Sequence, residues 1–280
     1  MKVYVTFDME GCSGIAYRAQ IRPYPEMPEV YKRAQRFATE DVKAAVEGIL
    51  EVDPDAEIWF NDGHVDNMNV LFEELPENVV AVVGSGESMD EVMDLDDSFD
   101  ALVSIGAHGN TLTADAVLCH VWGVREVKFN GRSLSETGLN ASLAGFYGVP
   151  LVAMSGDEAS MKAIQKELSQ KIATAVVKRG IGMYSAICIH PKKAQRRIKE
   201  AVIDGLRRRH ETPLVTYRNP ITVEITYKDQ YGAYATKLFN SNDEKVAATK
   251  IRFVAENAKE AYKQFFARYK LSIARKNLRR

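Results

Sequence analysis

The 280-residue chain has almost no net charge and no internal repeat or low-complexity tract. Its 37 lysine and arginine residues nearly balance 38 aspartate and glutamate residues, which leaves a net charge of −1. A protein without a strong positive field has no general attraction for nucleic acid or for an anionic membrane. We therefore expect neither as a partner, and we expect a small, locally recognised substrate instead.

Cysteine and long apolar runs are also scarce. The three cysteines form no CxxC pair and are too few for a disulfide scaffold, which favours a reducing compartment. The amino terminus has the pattern of a charged strand rather than a signal peptide, and no apolar run approaches the ~20 residues that span a bilayer. These features together predict a cytoplasmic protein.

Chain length and the order of predicted elements indicate the fold class. The length exceeds the ~100–200 residues of a usual single core, so one large or two unequal domains are expected. Alternating strand and helix patterns predict an α/β fold with a mostly parallel sheet flanked by helices. We place this domain at residues 1–172 and a smaller α+β domain at residues 173–280, with a closing helix that could pack back on the first.

The opening segment, residues 1–14, combines a strand pattern with two carboxylates. Apolar and polar residues alternate as far as Phe7, with the period of two that a β-strand imposes. If extended geometry continues to Glu10, the side chains of Asp8 and Glu10 project to the same side. Two facing carboxylates repel each other, so a divalent metal between them is expected. The alternative is an acidic turn in water.

Two later strands also end in possible metal ligands. The apolar run 56–60 is followed by Asn-Asp-Gly and His64, and the run 101–105 by Gly-Ala and His108. The carboxyl ends of parallel strands lie at one edge of a sheet, where ligands bind. A single histidine after a strand is usually an ordinary loop residue. The coincidence of three strand ends favours a shared metal site.

Two further residues have competing interpretations. His120 lies in an apolar segment beside Trp122, where a lowered pKa suits a neutral proton acceptor, although a core histidine fits equally well. Glu136 falls in the first turn of a helix that opens at Ser135 and runs through Phe146. A carboxylate there is ordinarily a partner for the helix dipole.

The remaining patterns predict ordinary secondary structure. A basic stretch at residues 191–209 has an apolar face, so we interpret its charges as a solvated surface of a packed helix rather than a nucleic-acid site. The other expected elements are a helix over 30–50, strands at 78–83, 126–129 and 151–154, a helix to about residue 170, strands near 174–177 and 183–187, a strand over 214–227 interrupted at Pro220, a strand at 249–254 and a closing helix over 257–276. An Asn-Gly pair at 130–131 predicts a hairpin.

Five phrases, in this order and spacing, resemble the D-aminopeptidase family. They are FDMEGCSG at 7–14, NDGH at 61–64, GAHGN at 106–110, CHVWGVR at 119–125 and ETGLNASLAGFYGVP at 136–150. The later part of the chain resembles the family more loosely. The resemblance implies two zinc ions per subunit, with Mn²⁺ or Co²⁺ as substitutes, bound by Asp8, Glu10, His64, His108 and Glu136. It thereby replaces the ordinary interpretation of Glu136.

The resemblance also implies a function. The expected enzyme is a dinuclear zinc aminopeptidase that removes the N-terminal residue from short peptides, including D-amino-acid peptides such as D-Ala-D-Ala. The two ions, with Asp8 shared between them, would polarise the peptide carbonyl, activate a water and anchor the free amine. His120 is the implied catalytic residue, as base, acid or oxyanion stabiliser. Asn110 and Asn140 are candidate substrate contacts. A large ring-shaped homo-oligomer that admits only small peptides is the expected assembly.

Some features leave alternatives open. Cys12 stands where the family more often has an aliphatic residue, and its thiol could bind metal, oxidise or lie buried and inert. A metal-dependent 3′–5′ exonuclease also carries Asp-x-Glu on its first strand, but no aspartate follows His190 or His210 at the four- or five-residue spacing expected there. A non-catalytic peptide-binding protein in which metals only join loops is the third possibility.

Overall fold

The computed structural model describes residues 1–84 and 91–274, and it is built around two β-sheets. The first sheet has the strand order β3-β2-β1-β4-β7-β8-β9, and all its neighbours are parallel except β8 and β9. Its strands are β1 (Lys2–Phe7), β2 (Glu57–Asp62), β3 (Val79–Val82), β4 (Ala101–Ala107), β7 (Leu151–Asp157), β8 (Ala173–Gly182) and β9 (Ser185–Cys188).

The second sheet is antiparallel, with the order β11-β12-β10-β5-β6. Its strands are β5 (Val124–Phe129), β6 (Arg132–Ser133), β10 (Ile221–Tyr227), β11 (Glu244–Ala247) and β12 (Lys250–Ala255). The helices are α1 (Arg18–Ile21), α2 (Pro28–Val52), α3 (Glu136–Phe146), α4 (Glu158–Glu167), α5 (Pro191–Arg207), α6 (Gln230–Phe239) and α7 (Ala258–Ile273), and 3-10 turns lie at Phe72–Glu74 and Arg209–Glu211. None of the helices that the structure describes is long and apolar enough to cross a bilayer.

Two apolar cores lie on opposite faces of the parallel sheet. On one face, α2 and α5 pack on each other and on the strands, and the apolar side of α5 is buried there. On the other face, α3, α7 and the antiparallel sheet close a second core. β1 separates the two, because alternate side chains such as Val5 and Tyr4 enter different cores. Burial on both faces fixes the register of this central strand.

The predicted fold class is confirmed: a mostly parallel sheet flanked by helices, together with a smaller antiparallel sheet. The Asn130-Gly131 hairpin is also present, since it joins β5 to β6 with φ of 48° and 81° at the two turn residues. Most other predicted elements are found with ends shifted by a few residues.

One secondary-structure prediction was wrong, and two elements were not predicted. Residues 214–218 are not a strand, because this segment packs across α3, with the Val215 backbone against Gly145, and pairs with no ladder; the strand begins at Ile221. The helix α6 and the strand β11 were not predicted. The predicted end of the closing helix lies partly outside the described residues, since α7 ends at Ile273.

Both sheets take strands from either side of residue 172. The parallel sheet includes β8 and β9, and the antiparallel sheet includes β5 and β6. The closing helix α7 packs on α3 and on the antiparallel strands β10 and β12. The division of the chain at 172/173 stays a prediction. Each sheet contains strands from both sides of that point.

Candidate metal centre and active site

Three neighbouring strands deliver the predicted ligands to one edge of the parallel sheet. β1 pairs in parallel with β2 on one side and with β4 on the other. The loops that follow these strands carry Asp8 and Glu10, His64, and His108 respectively. Glu136 reaches the same place from the first turn of α3, whose N-cap is Ser135. The shared direction of the strands therefore explains why residues far apart in sequence meet.

A turn, not an extended strand, presents the two carboxylates of the first loop. β1 ends at Phe7, and the amide of Gly11 donates a 2.7 Å hydrogen bond to the carbonyl of Gly106. Gly106 has a φ of 78°, and a Cβ there would lie 1.8 Å from the carbonyl oxygen of Asp8. The chain therefore does not stay extended through Glu10, because the close approach of Gly11 to Gly106 in β4 bends it. The carboxylates of Asp8 and Glu10 still converge.

Lys178 holds the turn from beneath. Its ammonium group is buried and donates to the carbonyls of Glu10 at 2.5 Å, Cys12 at 2.8 Å and Ile15 at 2.5 Å. This residue was not predicted from the sequence. The available signal was a lysine inside an apolar strand, β8, where a solvated side chain is unexpected.

The loop that carries His64 is held by a buried aspartate. Asp62 accepts hydrogen bonds from the backbone amides of Asn69 at 2.6 Å, Val70 at 2.9 Å and His64 at 3.2 Å. The Asn69 amide group also donates to the His64 carbonyl at 2.6 Å. The histidine is therefore fixed by its own loop before any ligand binds.

The five predicted ligands are within contact distance of their neighbours. His64 Nδ1 lies 2.9 Å from Asp8 Oδ1 and 3.0 Å from Glu10 Oε2. His108 Nε2 lies 2.9 Å from Asp8 Oδ2 and 3.4 Å from Glu136 Oε2. Asp8 thus stands between the two histidines, with one oxygen toward each.

The second ring nitrogen of each histidine contacts a backbone carbonyl. His64 Nε2 lies 2.8 Å from the carbonyl oxygen of Ile21, and His108 Nδ1 lies 2.9 Å from that of Gly109. A nitrogen facing a carbonyl must carry hydrogen, so a neutral ring keeps its lone pair on the other nitrogen, the one that faces the carboxylates. A lone pair facing carboxylate oxygens is repulsive unless a cation lies between them.

The carboxylates and histidines of the cluster shift one another's pKa values. Burial alone would raise the pKa of Asp8, but His108 and His64 hold it well below its usual range. Burial alone would lower the pKa of His64, yet Glu10 and Asp8 raise it well above its usual value. Glu136 and Asp8 raise the pKa of His108 in the same way. The carboxylates therefore favour a positive charge beside each histidine, either a proton on the ring or a cation between the ring and the carboxylates.

A further buried carboxylate, Glu91, adjoins the cluster. Burial, followed by the negative charges of Glu136 and Asp8, raises its pKa well above the usual range. The Asn140 amide group donates to Glu91 Oε2 at 2.5 Å, and Tyr262 donates to the other end of Asn140 at 2.8 Å. Our sequence analysis missed Glu91, because it lies in an acidic, motif-free segment that gives no local signal.

His120 faces the cluster from its open side. Its ring stacks on that of His108 with centroids 4.3 Å apart and an angle of 16°, and its Nε2 lies 3.8 Å from Glu136 Oε1. His120 Nδ1 lies 2.8 Å from the Leu118 carbonyl, so a neutral ring has its lone pair on Nε2. The side chain is 35% exposed, which contrasts with the buried His108. His120 is therefore open to the cavity and not enclosed in a core.

Trp122 connects this region to the closing helix. Its backbone amide donates a hydrogen bond to Glu136 Oε1, and its ring packs against four aromatic side chains of α7. Residues of α7 and Trp122 line a cavity of about 340 Å³ whose wall includes Asp8, Glu10, His64, Glu91, His120 and Glu136. The cluster of predicted metal ligands therefore borders a solvent-accessible cavity.

The two predicted substrate amides have other partners. Asn110 Oδ1 accepts from Leu112 N at 3.0 Å and from Thr113 Oγ1 at 3.2 Å, which holds its own loop. Asn140 is occupied by Glu91 and Tyr262, and neither asparagine is among the residues that line the cavity. Their role in substrate binding stays a prediction.

Cys12 and the late histidines lie apart from the cluster's chemistry. The Cys12 thiol is buried, its pKa is raised well above the usual value by burial, and it donates to the Asp8 carbonyl at 3.3 Å. It therefore fits the inert alternative. His190 caps α5 and His210 lies in a 3-10 turn, and neither lines the cavity, which gives the exonuclease alternative no geometric support.

The donor set fits zinc. Zinc accepts carboxylate oxygen and imidazole nitrogen, and the cluster provides both kinds. Within the described part of the chain, Glu10 Oε2 and His108 Nε2 are buried without a hydrogen-bond partner, although each has an oppositely charged neighbour at close range. Two groups of three residues could each hold a metal ion, because within each group the three donor atoms lie within 4.8 Å of one another. One group is Asp8, Glu10 and His108, and the other is His108, His120 and Glu136.

Comparisons with known proteins identify one family. The family model described as D-aminopeptidase matches residues 1–267. A D-aminopeptidase of Bacillus subtilis (strain 168) is 27% identical over 275 residues, which covers 98% of this chain and 98% of the relative. The solved structure of the Zn-dependent D-aminopeptidase DppA from Bacillus subtilis, described as a self-compartmentalizing protease, matches with a TM-score of 0.91 and 26% identity over 98% of both chains. The chain belongs to the D-aminopeptidase family.

Proposed function

We propose that this protein is a zinc-dependent aminopeptidase that removes the N-terminal residue from short peptides, including D-amino-acid peptides such as D-Ala-D-Ala. The observation that carries the proposal is the orientation of His64 and His108, which direct one ring nitrogen at a backbone carbonyl and the other at carboxylates. Family membership supports the same activity.

Asp8, Glu10, His64, His108 and Glu136 would hold two zinc ions in this proposal. When bound, the ions would polarise the scissile carbonyl, make a water molecule more acidic and attract the free amine of the substrate. Asp8 suits a shared position, because its two oxygens face different histidines at 2.9 Å each. Mn²⁺ or Co²⁺ would suit the same oxygen and nitrogen donors.

The chain itself supplies the proton transfer. His120 is the residue at the cluster that is both exposed to the cavity and oriented with Nε2 toward it. The neutral ring accepts a proton at Nε2 as the nucleophile attacks, and it can return that proton to the leaving amine. Glu136, whose pKa burial would raise but His108 and His120 lower, stays ionised beside it and stabilises the imidazolium form.

A hydrolysis assay tests the proposal. Purified protein is stripped with a chelator and assayed on D-Ala-D-Ala and on L-leucine anilide, with and without added zinc. We expect release of free amine only when zinc is present. Absence of hydrolysis at every metal loading, on peptides of both hands, would leave the non-catalytic peptide-binding alternative and remove the peptidase.

We also propose that copies of this chain assemble into a large ring-shaped oligomer, because a relative is described as self-compartmentalizing. We place this assembly in the cytoplasm, as the scarcity of cysteine predicts. Exposed apolar side chains support an assembly surface: Leu238 and Phe239 on α6 are 65% and 70% exposed, and Val254 on β12 is 61% exposed. Light scattering of the purified protein should report a mass many times that of one chain. A Leu238→Glu and Phe239→Glu double variant should reduce that mass, and a monomeric wild type would contradict the assembly.

A further inference from the structure

The metal-ligand cluster borders two cavities. The cavity of about 340 Å³ adjoins a second one of about 370 Å³, and Glu10, Arg22, His120, Trp122 and Lys228 line both. Peptide-bond cleavage needs space for a residue on either side of the reacting carbonyl. The two cavities, which share His120 in their walls, together provide that space.

Charge is segregated along this cleft. The buried or largely buried lining residues include the four carboxylates Asp8, Glu10, Glu91 and Glu136. The two cations that line both cavities, Arg22 and Lys228, are exposed. A cleft with acidic groups at its base and cations at its mouth complements a molecule that carries an ammonium group at one end and a carboxylate at the other.

The backbone that leads into Arg22 contacts a predicted metal ligand, His64. The carbonyl of Ile21, the residue before it, lies 2.8 Å from His64 Nε2. One extended residue spans roughly 3.3–3.6 Å, so a dipeptide is about as long as an extended arginine side chain. A dipeptide with its amino end at the cluster would therefore span about the reach of an extended Arg22 side chain, which lines the same cavity.

We propose that Arg22 binds the free C-terminal carboxylate of the substrate, so that unblocked dipeptides and tripeptides are the preferred class. This inference rests on the proposed peptidase function. Arginine suits the role because its planar guanidinium group binds a carboxylate through two parallel hydrogen bonds.

A neighbouring arginine provides the contrast. Arg18 lines the second cavity, but its guanidinium group donates to the Tyr184 hydroxyl at 2.6 Å and lies 5.0 Å from the centre of the Tyr184 ring. Arg22 has no ion-pair partner within residues 1–84 and 91–274. Arg22 is therefore the residue to test, and Arg18 is its matched control.

The test compares a peptide acid with its amide. For the zinc-loaded wild type, kcat/KM on D-Ala-D-Ala should exceed that on D-Ala-D-Ala amide by roughly 10- to 100-fold, the value of a charge-assisted hydrogen-bond pair. Arg22→Gln should bring this ratio close to one through KM, and Arg22→Lys should restore part of it. Arg18→Gln should keep the wild-type ratio. Equal cleavage of acid and amide by the wild type, or equal loss on both in Arg22→Gln, would overturn the inference and leave the peptidase intact.

A binding measurement separates this inference from the catalytic proposal. Calorimetry on the zinc-loaded His120→Ala variant should show tighter binding of D-Ala-D-Ala than of its amide, and the added Arg22→Gln change should remove the difference. If this preference is seen while the wild type cleaves neither peptide, the carboxylate site stands and the peptidase function fails. Equal binding of acid and amide would refute the site.

Discussion

Lys178 Nζ donates a 2.5 Å hydrogen bond to the backbone carbonyl of Glu10, a predicted metal ligand 168 residues away in sequence. The same ammonium group binds two further carbonyls of the loop after β1. A buried cation is costly unless its donors are satisfied, and here all three of them are. The parallel sheet thus uses a charge from β8 to shape the loop that follows β1.

Replacing this lysine should disturb both folding and metal binding. Lys178→Met leaves the three carbonyls without their donor, so we expect a loss of at least about 3 kcal/mol in the free energy of unfolding. Zinc affinity should fall as well, because the Glu10 loop is released. Urea unfolding and zinc titration measure the two effects. The exposed Lys171→Met is the control, and an equal effect of both changes would contradict this role.

Loss of the His120 side chain should lower turnover without changing zinc content. His120→Ala removes the proposed proton acceptor, and we expect kcat to fall by about 10²–10⁴-fold with zinc content unchanged. His210→Ala, far from the cavity, serves as the control. Elemental analysis alongside steady-state kinetics distinguishes the roles: parallel loss of zinc and activity would mean that His120 is a metal ligand.

The close contact between Gly106 and the backbone of the β1 loop should not tolerate a side chain at position 106. Gly106→Ala places a methyl group 1.8 Å from the Asp8 carbonyl oxygen at a φ of 78°. Gly131→Ala provides a matched control, since φ there is 81° and nothing lies within 4 Å of the added carbon. The control isolates backbone strain, which is about 1–3 kcal/mol.

Thermal or urea unfolding should therefore show a larger loss for Gly106→Ala than for Gly131→Ala, by at least about 2 kcal/mol, because only the first has the steric overlap. Zinc binding should weaken in the first variant alone. Equal stability of the two variants would show that the loops after β1 and β4 do not need this close approach.

A buried aspartate behind the β1 loop should make stability depend on pH. Burial raises the pKa of Asp41 to about 6, while the Ser13 amide and hydroxyl donate to its two oxygens at 2.7 Å and 2.8 Å. In the unfolded chain this group ionises near pH 4, so the folded state binds the extra proton between those values. Stability from this group is therefore greatest at low pH and falls as pH rises through about 6.

Asp41→Asn removes this dependence, because an amide does not ionise but can still pair with Ser13. The stability of the wild type relative to the variant should decline by about 3 kcal/mol between pH 4 and pH 8, the equivalent of a shift of about two pKa units. Urea unfolding at several pH values gives the difference. A difference that is constant with pH would show that Asp41 ionises normally in the folded protein.

Much of the parallel sheet could be predicted, because its strands are short apolar runs that end in polar residues. The antiparallel sheet was harder, since β11 is exposed on every residue and carries no apolar periodicity. Residues 214–218 show the reverse failure. Tyr217 contacts the Phe129 ring with centroids 5.6 Å apart, so this apolar pattern reflects packing of an irregular segment and not strand pairing.

Some residues of the site could also be predicted from the sequence, and others could not. His64 and His108 could be predicted because strand order alone brings their loops together, and Glu136 only through family resemblance, since its local setting is that of any helix N-terminus. Glu91 could not be found by either route, and the one sequence sign of Lys178 was a lysine inside an apolar strand. Their positions depend on how separate layers pack, and a single sequence carries no local sign of that contact.

We expect two zinc ions at the edge of the parallel sheet to make this chain a peptidase. The most direct test titrates zinc into the metal-free protein and follows release of alanine from D-Ala-D-Ala. We predict that activity rises with added zinc and reaches its maximum at two equivalents per chain. No release of alanine at any loading, or full activity in the metal-free protein, would contradict it.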